Sequence, residues 1–257
     1  MLFLVATPIG NLGDITLRAL EVLKNADVIA CEDTRHSLRL LQHFEIRKPL
    51  VSYHEHNEAM RAAELLARLQ CGENVAVITD AGMPGISDPG QRLLRACIEN
   101  KITYTIIPGP SAVLTALVGS GFPSEQFFFG GFLPTKSGQR EREIRAAGAR
   151  AETSIFFESP HRLLKTLVIF HKLFPLRQLC VARELTKQFE EFRIGAADEL
   201  TGHFTAHPPK GEIVLLVRAL SKEERRERMR GQRETCDTAR DENDAANDAE
   251  NESESFD

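Results

Sequence analysis

Apolar and polar positions follow two alternating periods along the first 120 residues of the chain. Short apolar runs rich in β-branched residues predict strands, and apolar positions that recur at helical spacing between them predict helices. The predicted strands are Leu2–Ala6, Asp27–Cys31, Val75–Thr79 and Thr103–Ile107. The predicted helices are Ile15–Lys24, Thr34–Phe44, Glu58–Leu69 and Ala112–Val118, the last capped by Ser111. Repeated strand–helix units are typical of a mostly parallel sheet with helices on both faces.

A second pattern begins after residues 119–123, whose glycines and proline are typical of a linker. Strands are predicted at Gln126–Gly131, Thr153–Phe157, Leu179–Arg183, Phe189–Ile194 and Gly211–Val217, and helices at Gln139–Arg150 and Arg162–Leu173. From Ser221 onward charged residues dominate and almost nothing can be buried, which predicts disorder. The sequence therefore predicts an α/β fold with an N-terminal domain (1–119), a second, more antiparallel α/β domain (124–220) and an acidic, disordered tail (221–257).

Composition refines this picture. The chain is 42% hydrophobic and 27% charged, as expected of a globular protein with a real core. No apolar run is long enough to span a bilayer, and five scattered cysteines without a CxxC pair fit reduced thiols, so we expect a cytoplasmic protein without a membrane partner. The net charge of −5 belongs to the tail, because residues 222–257 hold 7 basic and 13 acidic residues, against 25 and 24 in residues 1–221. Binding to nucleic acid would therefore need a local basic patch.

Three loops rich in glycine and proline follow predicted strands, with the sequences ATPIGNLGD, TDAGMPGISDPG and PGPSA. In an open α/β sheet, ligands bind beyond the carboxyl ends of the strands. Glycine lets backbone approach a ligand closely, and proline offers a carbonyl acceptor without an N–H donor. The phosphate-binding pattern GxxxxGK[ST] and the dinucleotide fingerprint GxGxxG are absent. These loops predict a ligand cleft that suits a cation better than a phosphate.

Eight sequence blocks, in order, resemble those of the ribosomal RNA small subunit methyltransferase I family of the tetrapyrrole-methylase superfamily. The blocks are LFLVATPIGNLGDITLRALEVLKNADVIACEDTRHSLRLL, SYHEHNE, DAGMPGISDPG, IPGPSA, FFFGGFLP, IFFESPHRL, ARELTK and KGEIVLLV, and they cover about residues 1–218. The resemblance implies two α/β domains of the class III methyltransferase type, with S-adenosyl-L-methionine as methyl donor in the cleft between them. It also implies 2'-O-methylation of the cytidine ribose at position 1402 of 16S rRNA in the small ribosomal subunit, by a homodimer. Relatives commonly continue into a small helical region, where this chain has its acidic tail.

Carried over by motif position, the resemblance implies a set of residues that contact the donor. They are Ile9, Gly82, Met83, Pro84, Gly85, Pro108, Gly109, Ser111, Ala112 and Phe157.

Residues for proton removal or orientation are sought among acids and histidines near predicted strand ends. The candidate catalytic residues are Glu32, Asp33, Arg35, Glu158 and His161, with Arg162 beside them. For CEDTR the alternative is structural, with Asp33 or Thr34 capping the helix that follows.

Two segments leave alternatives open. The sequence YHEHNE is either a solvated loop, a contact to RNA, or, least favoured, the centre of a metal-dependent hydrolase built on His54, His56 and Glu58. The charged stretch after residue 135 is either a solvated helix with a Glu141–Arg145 pair or a phosphate contact. Its basic residues are Lys136, Arg140, Arg142, Arg145 and Arg150, with Arg35, Arg39, Lys165 and Lys187 nearby. The aromatic run Phe127–Phe129 is predicted to be sheet core.

For the whole chain, a methyltransferase of the same fold acting on a tetrapyrrole or a modified protein residue remains a second possibility. A non-catalytic module that binds S-adenosylmethionine or RNA is a third.

Overall fold

The computed structural model describes residues 1–221 together with residues 223, 224 and 226. The tail predicted to be disordered, and Cys236 within it, otherwise lie outside the described residues. The described chain contains two five-stranded sheets, the first built from residues before Gly109 and the second from residues after Gln126.

The first sheet is parallel and has the strand order β3-β2-β4-β1-β5. Its strands are β1 (Leu2–Val5), β2 (Val28–Cys31), β3 (Leu50–Ser52), β4 (Val75–Ile78) and β5 (Tyr104–Ile107). The helices of this half are α1 (Leu17–Asn25), α2 (Thr34–His43), α3 (Glu58–Gln70), α4 (Gln91–Glu99) and α5 (Ala112–Ser120). Helices α3 and α4 pack on the face that carries Leu2 and Leu4, and α1 and α2 pack on the face that carries Val5. Because both faces are covered, β1, β2 and β4 are apolar without alternation.

The second sheet is mixed and has the order β6-β7-β10-β8-β9. Its strands are β6 (Phe127–Phe132), β7 (Thr153–Glu158), β8 (Leu179–Arg183), β9 (Glu191–Gly195) and β10 (Ile213–Val217). Only β6 and β7 run parallel, and β10 lies antiparallel between β7 and β8. One face packs against α6 (Ser137–Ala149), α7 (Pro160–Leu173) and α8 (Ala197–Ala206).

Helix α5 covers the other face of the second sheet. Val113, Ala116 and Leu117 of this helix pack with Ile155 and Val214 of the sheet. Helix α5 thus follows the first sheet in sequence but packs in the core of the second sheet. The sequence-based division between residues 119 and 124 stays a prediction.

The structure corrects part of the expectation for Phe127–Phe129. Strand β6 is an edge strand, and Phe127 is exposed, whereas Phe128 and Phe129 pack against the two cores of the second sheet. None of the helices in the described part of the chain combines the length and apolar character needed to cross a membrane.

Candidate active site

A cavity of about 480 Å³ lies between the two sheets. From the first half it is lined by loops at the carboxyl ends of strands, and from the second by the end of β7, the start of β10 and the turn after β8. Its volume falls within the range of about 300–1,000 Å³ that is common for small-molecule sites. The lining residues are Ile9, Glu32, Asp80–Met83, Ile86–Asp88, Ser111–Val113, Phe132, Phe157–Pro160, Leu185 and Gly211–Val214.

The loop after β4 forms the main wall of the cavity and is held from two sides. Thr7 and Gly82 exchange backbone hydrogen bonds of 2.9 and 3.1 Å, with Gly82 at φ +82°. A side chain at Gly82 would be strained there and would meet Ile9 Cγ2 at 3.6 Å. At the other end of the loop, the Gly90 N–H donates to Glu58 Oε1, which also accepts from the Tyr53 hydroxyl at 3.0 Å. These contacts fix the backbone that faces the ligand space.

The loop before α5 approaches the first strand closely. A Cβ on Gly109 would lie 2.9 Å from the Ala6 Cβ, so only glycine fits without movement. Ser111 Oγ accepts from the Leu114 N–H and caps α5. Six of the ten residues implied for donor contact therefore line the cavity, whereas Pro84, Gly85, Pro108 and Gly109 lie outside its lining and shape the loops behind it.

Two of the carboxylates that line the cavity are neutralised by cations of the second half. Glu158, with a fully buried side chain, pairs with Arg162 at 2.8 Å and accepts from the Thr166 hydroxyl and the Ser159 N–H. Glu212 pairs with Lys187 at 3.0 Å. These carboxylates fix local structure at the end of β7 and the start of β10.

The other three lining carboxylates, Glu32, Asp80 and Asp88, lie on the first half, and among the described residues none of them has a hydrogen bond or ion pair to a cationic side chain. Asp80 Oδ1 accepts from the Asp33 N–H at 3.2 Å. Burial, followed by the charges of Glu32 and Asp80, raises the pKa of Asp88 to about 7. Burial, followed by the charge of Asp80, also raises the pKa of Glu32. The cavity therefore has an acidic wall.

The structural alternative for CEDTR is the one observed. Asp33 caps α2: its carboxylate accepts from the Arg35 N–H at 2.8 Å and from the Arg35 guanidinium at 2.8 and 3.2 Å. These hydrogen bonds hold the pKa of Asp33 at about 2. Neither Asp33 nor Arg35 lines the cavity, and His161 lies exposed in the first turn of α7, also outside the lining. Of the predicted catalytic residues, the lining therefore includes Glu32 and Glu158, while sequence reasoning missed Asp80 and Asp88.

The YHEHNE segment has a structural role. Glu58 binds the Tyr53 hydroxyl and the Gly90 N–H, and Arg92 lies 3.7 Å from its carboxylate. Asn57 accepts from the His54 N–H and donates to the Ser52 carbonyl. Within the part of the chain that the structure describes, no three His, Cys, Asp or Glu side chains are grouped as ligands for a metal ion.

The basic residues after residue 135 are largely engaged within their own helix and its surroundings. Buried Arg140 donates to the carbonyls of Pro134 and Thr135, which disfavours the phosphate-contact alternative for this residue. Arg145 pairs with Glu141 at 2.6 Å, and Arg150 stacks 3.6 Å over the Phe128 ring. The solvated-helix alternative describes this segment better than an exposed phosphate-binding patch.

Comparison with known proteins adds to this geometry. The family model described as Tetrapyrrole (Corrin/Porphyrin) Methylases matches residues 1–201 of the chain. A protein of Synechocystis sp. named ribosomal RNA small subunit methyltransferase I is 49% identical, over 88% of this chain and 81% of its own length. The chain belongs to the family of Tetrapyrrole (Corrin/Porphyrin) Methylases.

Further relatives and solved structures agree with that assignment. The ribosomal RNA small subunit methyltransferase I of Mesorhizobium japonicum is 52% identical to this methylase, over 84% of this chain and 74% of its own length. The crystal structure of the methyltransferase CobJ has a TM-score of 0.65 at 19% identity, covering 85% of this chain and 93% of that one, which supports the fold alone. The family and the α/β methylase fold predicted from the sequence blocks are confirmed.

Proposed function

We propose that this methylase transfers the methyl group of S-adenosylmethionine to the 2'-hydroxyl of a cytidine ribose, position 1402 of the 16S rRNA in the small ribosomal subunit. The observation that carries the proposal is the cavity between the two sheets, in a chain 49% identical to a ribosomal RNA small subunit methyltransferase I. A tetrapyrrole acceptor has less support, because the close relatives carry ribosomal RNA in their names.

The lining residues fit the donor by shape and by charge. S-adenosylmethionine supplies an electrophilic methyl group on a positively charged sulfur. The acidic wall of Glu32, Asp80 and Asp88 complements a cation. The carbonyls of a glycine-rich loop can accept weak C–H···O contacts from polarised methyl and methylene groups. Ile9, Gly82, Met83, Ser111, Ala112 and Phe157 would hold the donor, with Pro84, Gly85, Pro108 and Gly109 shaping the loops behind them.

The acceptor would enter over an exposed apolar rim. Ile86 is 46% exposed and Phe132 is 60% exposed, and the two come from opposite sides of the cavity. A ribose held between them would meet the donor from the open side. Alignment of the hydroxyl is then the chief contribution of the protein to the rate.

The predicted catalytic residues divide by environment. Glu32, which lines the cavity, stays a candidate for a part in the reaction. Glu158 positions the end of β7, and Asp33 with Arg35 fixes the start of α2. His161, exposed one residue after a lining proline, is proposed to face the RNA.

We further propose that the methylase acts in the cytoplasm as a homodimer. Exposed apolar side chains are available for such a contact on edge strand β5 and on helix α5, where Val118 is 78% exposed. Light scattering after size exclusion measures the oligomeric state, and a purely monomeric protein would contradict the homodimer.

The test of the reaction offers labelled S-adenosylmethionine with three acceptors in parallel: isolated small subunits, naked 16S rRNA and a tetrapyrrole. We expect label on a cytidine ribose of subunit RNA or naked RNA, located by nuclease digestion and mass spectrometry. Label on the tetrapyrrole alone would replace the proposal by the second possibility, and absence of transfer to all three would favour a binding module.

A further inference from the structure

Asp88 occupies a distinctive place in the loop after β4. It is half-buried and lines the cavity, whereas its neighbours Ile86 and Ser87 are exposed. A Cβ on Gly131 would lie 3.6 Å from Ser87 Oγ, so this part of the loop meets β6 across the cavity. Asp88 therefore lies beside the exposed part of the lining, the side from which the acceptor is proposed to enter.

The hydrogen bonds of the lining carboxylates reduce the set that is available for chemistry. Glu158 and Glu212 are bound to cations, and Asp80 accepts the Asp33 N–H. Within the described residues, the carboxylates of Glu32 and Asp88 have no hydrogen bond or ion pair. These two carboxylates remain free to accept a proton from a ligand.

The charged groups around Asp88 separate it from Glu32. Glu32 and Asp80 face it from the ends of β2 and β4, and both charges disfavour its ionised form. Arg162 and Lys187 belong to the second half and are paired with Glu158 and Glu212, so their charges are directed to those carboxylates and not to Asp88. Burial and the charge of Asp80 raise the pKa of Glu32, which also faces His54, which lowers its pKa, and Asp33 and Glu55, which raise it. With its pKa at about 7, Asp88 is matched to proton exchange near neutral pH.

We propose that Asp88 is the catalytic residue that receives the proton of the acceptor hydroxyl. The inference rests on the proposed function and names a residue that is not among the catalytic candidates predicted from the sequence. Glu32 is the positioning residue, since its charge acts on the reaction through Asp88.

The step balances without a further reactant. The hydroxyl oxygen forms a bond to the methyl carbon as the carbon–sulfur bond breaks, and that electron pair remains on sulfur. The hydroxyl proton moves to a carboxylate oxygen of Asp88 and passes to water when the product leaves.

The proposed role of Asp88 also predicts an effect on proton binding that can be measured without turnover. A cation beside Asp88 favours its ionised form, so binding of S-adenosylmethionine should release the proton that Asp88 carries near pH 7. S-adenosylhomocysteine has a neutral sulfur and should release less. Calorimetry at pH 7 in two buffers of different ionisation enthalpy measures the number of protons that are released when S-adenosylmethionine binds. We expect it to approach about half a proton in the wild type, since a group at its pKa is half protonated, and to vanish in Asp88→Asn.

The kinetic test uses the same variant with small subunits as acceptor. Asp88→Asn should lower kcat about 10²- to 10⁴-fold and remove the rise in kcat/KM for S-adenosylmethionine between pH 6 and 8, because kcat/KM reports the pKa of the ligand-free enzyme, with donor affinity changed only a few-fold. Asp88→Glu, which keeps a carboxylate, should recover part of the rate. Glu32→Gln should move the acid limb of the profile to lower pH. The control is Glu99→Gln, an exposed carboxylate at the end of α4.

The outcomes separate the two proposals. An inactive wild type contradicts the proposed function. An active wild type with Asp88→Asn at full rate, or with lost donor affinity and an unchanged pH profile, contradicts the assignment of Asp88 alone. If Asp88→Asn fails to fold, Glu32→Gln and Asp88→Glu decide: an unmoved pH profile in both overturns the assignment.

Discussion

Glu158 ends strand β7 and Asp33 follows strand β2, and each precedes a helix, yet their carboxylates have different partners. Asp33 bonds within two residues of itself, a local pattern that the CEDTR sequence carries in full. Glu158 bonds to Arg162 and Thr166, one and two turns along α7, and is fully buried. Local sequence can therefore propose a cap, but it cannot tell which of two acids faces a cavity.

Asp80 and Asp88 illustrate the same limit. In the linear sequence TDAGMPGISDPG both are typical turn residues. Their chemistry arises because β2 and β4 are neighbours in the sheet, which brings Glu32 to the same wall. The strand order, which the sequence pattern did not provide, decides that contact.

Replacing Glu158 by glutamine should destabilise the protein. The substitution leaves the Arg162 guanidinium beside a buried amide, and breaking one partner of a buried pair costs about 3–5 kcal/mol at most, less here because Arg162 is partly exposed. Urea denaturation measures the free energy of unfolding. In the double variant with Arg162→Met the loss should be smaller than the sum of the single losses. Additive losses would contradict the coupling of the two residues.

At the scale of elements, sequence periodicity predicts most of the helices and strands in the described chain but misses β3, α4 and α8. Strand β3 has three residues, too few to display alternation. Helix α4 begins after Gly90, which offers no capping side chain, and α8 contains Gly202 in its middle. Each missed element thus lacks one of the local signals on which such predictions depend, although α4 has apolar positions at helical spacing and α8 has acids in its first turn.

Helix α5 shows what composition can add. Its sequence AVLTALVGS has no polar face, and a helix that is apolar all round is typically buried on several sides. In the structure it packs against the second sheet while following the first. The pattern thus predicts burial of α5, which is realised on one face while Leu114 and Val118 stay exposed, but it does not predict which sheet the helix covers.

Two helical glycines give a matched test of this packing. A Cβ at Gly119 of α5 would lie 2.3 Å from carbons of the Phe192 ring, whereas a Cβ at Gly202 of α8 would meet nothing within 4 Å. Gly119→Ala should therefore destabilise by about 1–3 kcal/mol through overpacking. Gly202→Ala should stabilise by about 0.5–1 kcal/mol through helix propensity. Thermal unfolding of both variants measures the contrast, and equal shifts would contradict close packing of α5 on β9.

Lys187 ties together three loops around the cavity. Its ammonium bonds Glu184 at 2.9 Å and Glu212 at 3.0 Å, and its side chain lies where a Cβ on Gly10 would be. We expect Lys187→Met to weaken binding of S-adenosylmethionine several-fold, because the loops that carry Gly10, Glu184 and Glu212 lose their common contact, and to lower kcat less. Calorimetry and steady-state kinetics measure the two effects.

The control for Lys187 is Lys24→Met, which removes an exposed lysine from the last turn of α1. A phosphate contact, the alternative that the sequence left open, predicts the reverse result for Lys187→Met: weaker binding of RNA with donor affinity unchanged. That outcome would contradict the role in holding the loops.

At the scale of the molecule, the site forms where two sheets meet. The rule that ligands bind beyond the carboxyl ends of parallel strands predicts the loops after β1, β4 and β5. The second half is harder to predict because its sheet is mixed. Ile213 pairs with Glu158, so the start of β10 lies beside the end of β7 and brings Gly211–Val214 into the lining. The sequence KGEIVLLV alone contains no pattern that predicts the pairing of β10 with β7.

The acidic wall should also affect the stability of the whole protein. Asp88 has a pKa of about 7 in the folded chain and about 3.9 when unfolded. Between these values the folded state binds more protons than the unfolded state, so the contribution of Asp88 to stability falls as pH rises and has disappeared above pH 7.

We expect the Tm of the ligand-free wild type to fall from pH 5 to pH 8 more steeply than the Tm of Asp88→Asn. Groups with lowered pKa, such as Glu184 and Glu191, act below this window because their pKa values lie under 4.5. Scanning calorimetry at several pH values measures the two curves. Glu99→Gln should run parallel to the wild type, and parallel curves for Asp88→Asn would mean that this carboxylate is ionised throughout, with its charge accommodated by the cavity at no cost.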